Sequence, residues 1–125
     1  MIYYLLSFLM HNFRKLDIWI RSIDYSIEIY RITSTFPKHE LFGLVSQLRR
    51  ASISIPSNIS EGCGKNSDPD LARFCYMSMG SSNECYTLLL LSNKLKYIDD
   101  LTFKRLEKEL TEIQKMISTF IKTLI

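Results

Sequence analysis

Residues 99–125, DDLTFKRLEKELTEIQKMISTFIKTLI, place Phe103, Leu106, Leu110, Ile113, Ile117, Phe120 and Leu124 in an unbroken three–four alternation. That period puts every member on one stripe of an α-helix and reads as the seam of a bundle helix. Asp99 and Asp100 stand just ahead of it, where a carboxylate can cap free N–H groups. Upstream, Ser67-Asp68-Pro69-Asp70 is a second start signal, with Asp68 as the expected cap and Pro69 at the first helical position. The helix it opens is expected to run to Lys96. Its inner stripe is Leu71, Phe74, Ser78, Ser81, Cys85, Leu88, Ser92 and Leu95. Its other faces hold Tyr76, Met79, Tyr86, Leu89, Leu90 and Leu91, so it is apolar nearly all round. A helix of that kind is covered on more than one side.

Two further helices are expected. Residues 38–61 carry the stripe Leu41, Leu44, Leu48, Ala51, Ile55 and Ile59, with Pro56 predicted on the outer side and Gly62 and Gly64 as the stop. Residues 13–33 carry Leu16, Ile20, Ile23, Ile27 and Tyr30, and Pro37 ends that segment by disfavouring helical geometry at Phe36. All connections are short, so the expected fold is all-α, an antiparallel up-down-up-down four-helix bundle. Residues 1–12 are expected to form an N-terminal extension and residues 13–125 the bundle domain. With only 4 Gly and 3 Pro in 125 residues, a β-sandwich or barrel lacks its turns.

The net charge is +3, from 16 Lys and Arg against 13 Asp and Glu. Residues 1–65 hold 8 basic and 5 acidic side chains and residues 66–125 hold 8 and 8, so an anion-facing surface belongs to the first half. Cys75 and Cys85, ten residues apart on one helix, are separated by about 15 Å and cannot bridge. With Cys63 alone in a loop, reduced thiols and a cytoplasmic location are expected. The apolar run Met1–Met10 is far shorter than the roughly 20 residues that cross a bilayer, and no membrane association is expected.

Little in the chain suggests catalysis. His11 and His39 lie in different segments without ligands at metal spacing, so neither a metal nor another cofactor is expected. Gly62-Cys63-Gly64-Lys65 lacks the spacing of a phosphate loop. No nucleophile stands beside a base, no small-molecule substrate is identified, and a non-enzymatic protein is expected. The distinctive feature is a polar row beside the apolar stripe of the second helix: Glu40, Gln47, Arg50, Ser54 and Glu61, with Asn58 close by. Such a row is a solvated edge, a hydrogen-bonded seam or an active-site wall. Gln, Ser and Asn are weak choices for a merely solvated helix, which favours a seam fixing helix or subunit register. Glu84 is the expected partner of Arg50. Arg50→Ala is then expected to cost about 3–5 kcal/mol and Arg49→Ala about 0–1 kcal/mol.

The block from Phe36 to Leu44 (FPKHELFGL), followed by Gln47-Leu48-Arg49-Arg50-Ala51 and by Ser54 to Gly62 (SIPSNISEG), resembles the four-helix-bundle proteins encoded in 23S ribosomal RNA intervening sequences. The resemblance continues through Gly80-Ser81-Ser82-Asn83-Glu84 and extends from Phe13 to Leu124. The same family includes the accessory variability determinants of diversity-generating retroelements. The resemblance implies an antiparallel bundle forming a ring-like homopentamer in the bacterial cytoplasm. Its retroelement members bind nucleic acid and a reverse transcriptase, and no catalytic residues carry over. Glu40, Gln47, Arg50, Ser54, Asn58, Glu61 and Glu84 match the family's signature positions. Members commonly begin near the residue matching Phe13, which makes Met10 a candidate start.

The expected function is binding of RNA or a ribonucleoprotein by a homo-oligomer. Arg14, Lys15, Arg21, Arg49, Lys65 and Arg73 are the candidate phosphate contacts. The alternative is a scaffold for a polypeptide such as a reverse transcriptase, without direct RNA function.

Overall fold

The computed structural model describes residues 12–125, so the expected extension lies outside the described residues but for Asn12. Four helices account for most of this span: α1 (Asp17–Thr33), α2 (Ser46–Cys63), α3 (Asp68–Lys94) and α4 (Asp100–Lys122). Paired groups fix their directions. Thr33 meets Arg49 and Ser26 meets Ser52, Ile55 meets Ser78, Ser82 meets Gln114, and Arg21 meets Glu109. Second pairs give the direction on the other helices: Gly62 with Leu71, Asn93 with Asp100 and Glu28 with Arg105. In each pairing numbers rise on one helix as they fall on the other, so the four helices form an antiparallel up-down-up-down bundle, as expected.

The helix ends follow local chemistry. Asp99 Oδ1 accepts from Thr102 N at 2.8 Å and caps α4. At α3 the cap is Ser67, whose Oγ accepts from Asp70 N at 3.3 Å, not Asp68 as expected. Asp68 and Asp70 instead fill the first turn, where carboxylates favour the positive end of the helix dipole. The expected start of α1 at Phe13 is also corrected. Phe13–Lys15 forms a separate 3-10 turn, and extended Leu16 precedes Asp17.

The second helix departs most from expectation. Residues Lys38–Glu40 form a 3-10 turn and Leu41–Val45 a wide π-type turn, and regular α-helix begins only at Ser46. Gly43 breaks the helical path at φ −109°, ψ −112°. Beside it the Glu40 carboxylate accepts from Leu44 N at 3.3 Å and from Tyr97 O–H at 2.9 Å. A Cβ at position 43 would stand 2.7 Å from Glu40 Oε1, so glycine leaves room for this cap.

Pro56 lies inside α2 and is buried against α1, not on the outer side as predicted. Lacking an N–H, it leaves the carbonyl of Ser52, four residues earlier, without its helical donor. Ser26 Oγ of α1 donates to that carbonyl at 2.9 Å. The helix therefore runs unbroken through its proline because its neighbour supplies the missing bond.

The core is built from Ile29 of α1, Leu48, Ile55 and Ile59 of α2, Leu71, Cys75, Cys85 and Leu89 of α3, and Leu106, Leu110, Ile113 and Ile117 of α4. On α4 the seam read from sequence is buried, with Phe120 partly covered. On α1 the expected stripe is the wrong one. Ile20, Ile27 and Tyr30 are 41%, 62% and 42% exposed, whereas Ile18, Ser22, Tyr25, Ser26, Ile29, Ile32 and Thr33 face the core. Helix α1 carries two apolar stripes. The buried one includes hydroxyl residues that satisfy themselves on backbone carbonyls, such as Ser22 on Trp19 and Thr33 on Ile29. On α3 the inner stripe is largely buried, although Leu95 is half exposed. Leu89, expected on another face, lies in the core, while Tyr76, Met77 and Leu91 stay exposed.

Candidate functional site

The antiparallel arrangement gathers the start of α1, the end of α2, the start of α3 and the end of α4 at one end of the molecule. Four of the six candidate phosphate contacts stand there: Arg14, Lys15, Lys65 and Arg73. Each of three has an aromatic support that orients it. The Arg14 guanidinium lies 4.7 Å from the centre of the Phe13 ring. Lys65 Nζ and the Arg73 guanidinium lie 5.0 Å and 4.7 Å from the centre of the Phe74 ring, which is itself buried. Such cation–π contacts hold charges in place without neutralising them. Arg73 also approaches Asp70, at 3.7 Å across an exposed pair, an interaction worth little.

The other two candidates serve the fold. Arg21 makes a two-pronged bond to Glu109 of α4, at 2.9 and 2.8 Å, and its pKa is raised chiefly by that carboxylate. Arg49 stacks 4.5 Å over Tyr30 and donates from Nε to Thr33 Oγ1 at 2.9 Å, clamping the end of α1 to α2. Neither is a free phosphate contact.

The polar row is also redistributed. Glu40 belongs to the turn before α2 and to Tyr97. Ser54 Oγ donates to the Arg50 carbonyl at 2.9 Å, and Asn58 Nδ2 to the Ser54 carbonyl at 2.8 Å, so both close on their own helix. Gln47, Arg50 and Glu61 on α2 and Glu84 on α3 are exposed. Among the described residues Arg50 and Glu84 have no ion-pair partner, so the expected buried Arg50–Glu84 pair is absent within the chain. The row is an outward surface of α2 and α3, not an internal seam. Near its middle, Gly80 faces open space, and a Cβ there would meet nothing within 4 Å.

Between α1 and α4 runs a charged groove of about 540 Å³, lined in part by Arg21, Asp24, Glu28, Arg105 and Glu109. Sequence reasoning missed its central residue. Glu28 receives Arg31 from its own helix and Arg105 Nη2 of α4 at 2.7 Å. These hydrogen bonds, led by Arg31, hold its carboxyl below the usual range. The Arg31 spacing of three residues was visible along the chain, whereas Arg105 lies 77 positions away and has no local signal. Tyr25, the hydroxyl in this groove, donates to the Leu106 carbonyl at 2.9 Å. The three thiols are free, and burial pushes Cys63 up to about 11 and Cys75 and Cys85 up to about 12, so they stay protonated. Among the described residues no group of three or more His, Cys, Asp or Glu could hold a metal ion. Nor is any helix there long and apolar enough to cross a membrane.

Residues 14–119 match the family described as 23S rRNA-intervening sequence protein. Among solved structures, the fold is similar to that of a protein of unknown function from the S23 ribosomal protein family of Bacteroides thetaiotaomicron VPI-5482. That likeness has a TM-score of 0.75 at 23% identity, covering 84% of this chain and 98% of the other. It is a likeness of fold alone. Among curated proteins none matches the chain.

Proposed function

Because the chain belongs to the 23S rRNA-intervening sequence protein family, we propose that it is a non-enzymatic, cytoplasmic bundle protein that assembles with copies of itself and binds RNA or a ribonucleoprotein. A ring of five is the assembly that the resemblance of the Phe36–Gly62 block implies. The observation that carries the nucleic-acid part is a set of cations at one end, Arg14, Lys15, Lys65 and Arg73, exposed among Asp17, Glu61, Asp68 and Asp70, with three of the four braced on aromatic rings. Cations so placed can each displace a counterion from a phosphate, and a multimer repeats the set. Self-assembly is supported by surfaces that one chain leaves uncovered. Ile20, Ile27, Tyr30 and Ile53 are exposed together on α1 and α2. Gly80 forgoes about 1 kcal/mol of helix propensity relative to alanine with no crowding inside the chain to require it.

The test is a titration of structured RNA at two salt concentrations, with the wild type and a variant in which Arg14, Lys15, Lys65 and Arg73 are all glutamine. The wild type should bind more weakly as salt rises, with a log–log slope set by the number of phosphates engaged. The variant should flatten that slope. Failure to bind at either salt, or equal slopes for the two proteins, overturns the RNA reading. A protein partner retained from lysate after nuclease treatment would then favour the scaffold role, in which a polypeptide such as a reverse transcriptase occupies the exposed apolar surface.

A further inference from the structure

We infer that residues 1–11 of this chain fold back over the apolar groove between α1 and α2 as an intramolecular strap. The family match begins at residue 14, so this segment lies outside what the family assigns. The groove has a volume of about 410 Å³ and is lined chiefly by Trp19, Ile23, Ile27, Tyr30, Ile53 and Pro56. None of its described lining residues carries a charge, and Ile27, Tyr30 and Ile53 are left exposed.

The described chain starts at one end of this groove. The Phe13 ring meets Trp19 edge-on, 5.2 Å between centres, and the turn Phe13–Lys15 touches α2 as well as α1. One residue earlier, Asn12 Oδ1 is buried with no donor among the described residues. Buried acceptors normally find a partner, and a segment turning back here brings backbone N–H groups to this one. The lengths agree. From Trp19 to Tyr30 the groove runs about 16 Å at 1.5 Å per residue. Eleven residues cover that span as a helix and about twice that span when extended.

The chemistry of the segment fits the groove. Residues 1–11, MIYYLLSFLMH, hold nine apolar residues and no Asp, Glu, Lys or Arg. Apolar side chains gain from any surface that takes them out of water. An uncharged groove asks for no buried charge in return. The other apolar groove, on the α4 side of α1, has Asp17 and Lys115 in its walls and no residue of α2, so it suits the segment less. The self-assembly proposed above offers Ile27, Tyr30 and Ile53 to another copy. Strap and copy exclude each other on this face, and a chain begun at Met10 leaves it open.

Trp19 is the lone tryptophan and lines the groove, so its emission reports whether the groove is covered. The full chain is compared with one begun at Met10, and far-UV circular dichroism checks that each bundle is intact. Trp19 of the full chain should emit at shorter wavelength and be quenched less by acrylamide, at every protein concentration. Ile27→Asp alters an exposed position about 12 Å along α1 from Trp19. It should shift the full chain to the emission of the shortened one and leave the shortened chain unchanged. Equal emission and quenching in the two lengths, or an Ile27→Asp full chain that keeps the wild-type emission, overturns the strap. Shielding that fades on dilution overturns it too, since a second copy then covers the groove. Salt-dependent RNA binding is measured apart from Trp19, so either reading can fail without the other.

Discussion

Removing the Ser26 hydroxyl isolates the device that lets α2 run through Pro56. In the wild type the Ser52 carbonyl, deprived of its helical donor by the proline, accepts from Ser26 Oγ at 2.9 Å in the buried α1–α2 contact. In Ser26→Ala that carbonyl has no donor, and a buried polar group left without one costs about 1–3 kcal/mol. The same hydroxyl also reaches the Ser22 carbonyl at 3.1 Å, but that oxygen is four residues back on α1 and keeps its backbone donor. The loss should therefore fall on Ser52. For a chain of this length about 2 kcal/mol corresponds to a drop in Tm of roughly 6–10 °C. The decisive assay is a double-mutant cycle with Pro56→Ala, read by urea denaturation. Alanine restores an N–H to position 56, so Ser26→Ala in that background should cost about 1–2 kcal/mol less than beside proline. An equal cost in both backgrounds would refute the assignment and make Ser26 an ordinary packing residue. Ser54→Ala, whose hydroxyl merely adds a bond to the Arg50 carbonyl of its own exposed turn, should change stability by less than about 0.5 kcal/mol.

Other consequences follow from particular contacts. Arg49→Ala should destabilise by about 1–2 kcal/mol, because it loses the Tyr30 stacking and the Thr33 bond, while Arg50→Ala should cost less than about 0.5 kcal/mol in the dissociated chain; parallel urea melts at low protein concentration compare them, and a larger cost at Arg50 contradicts the structure. Lys96 sits after α3 with φ 67°, in the left-handed region that favours glycine. Lys96→Gly should raise Tm by a few degrees, as the relief of about 1–2 kcal/mol outweighs the added freedom of the unfolded chain, and a lowered Tm in a calorimetric scan counts against it. Glu28 titrates lower in the folded state than when unfolded, held down first by Arg31 and then by Arg105. Its contribution is thus present above the ordinary carboxylate range and disappears as pH falls through its folded value. Glu28→Gln should shallow the acid limb of a stability–pH curve, and an unchanged limb would show that the pairs contribute nothing.

The six candidate cations illustrate how far a linear chain can be read. Along the chain Arg14, Lys15, Lys65 and Arg73 read as candidate phosphate contacts, and they do share one end of the bundle. Arg21 and Arg49 look the same along the chain, yet they are committed to Glu109 and to Tyr30 with Thr33. Their partners lie on other helices, and only the packing brings them within reach. The Arg50–Glu84 pair is the converse case. The Ser78–Ile55 bond sets both at about the same level of the antiparallel α2–α3 pair, yet both side chains are exposed and no ion pair joins them.

What the chain by itself determined was periodicity and punctuation. The three–four alternation on α4, the Ser-Asp-Pro-Asp start of α3, and the scarcity of glycine and proline required four helices, because backbone hydrogen bonding and side-chain spacing are local properties. Which stripe of α1 faces inward was decided by tertiary structure. Ile20, Ile27 and Tyr30 are as greasy as Ile18, Tyr25 and Ile29, and hydropathy could not rank them. The choice fell to Ser22, Ser26 and Thr33, small hydroxyls that allow α2 close and satisfy themselves on carbonyls, including the one that Pro56 leaves bare on the facing helix. A proline 30 residues from Ser26 thus finds its replacement donor on the inward stripe of α1, and only the folded chain brings the two together.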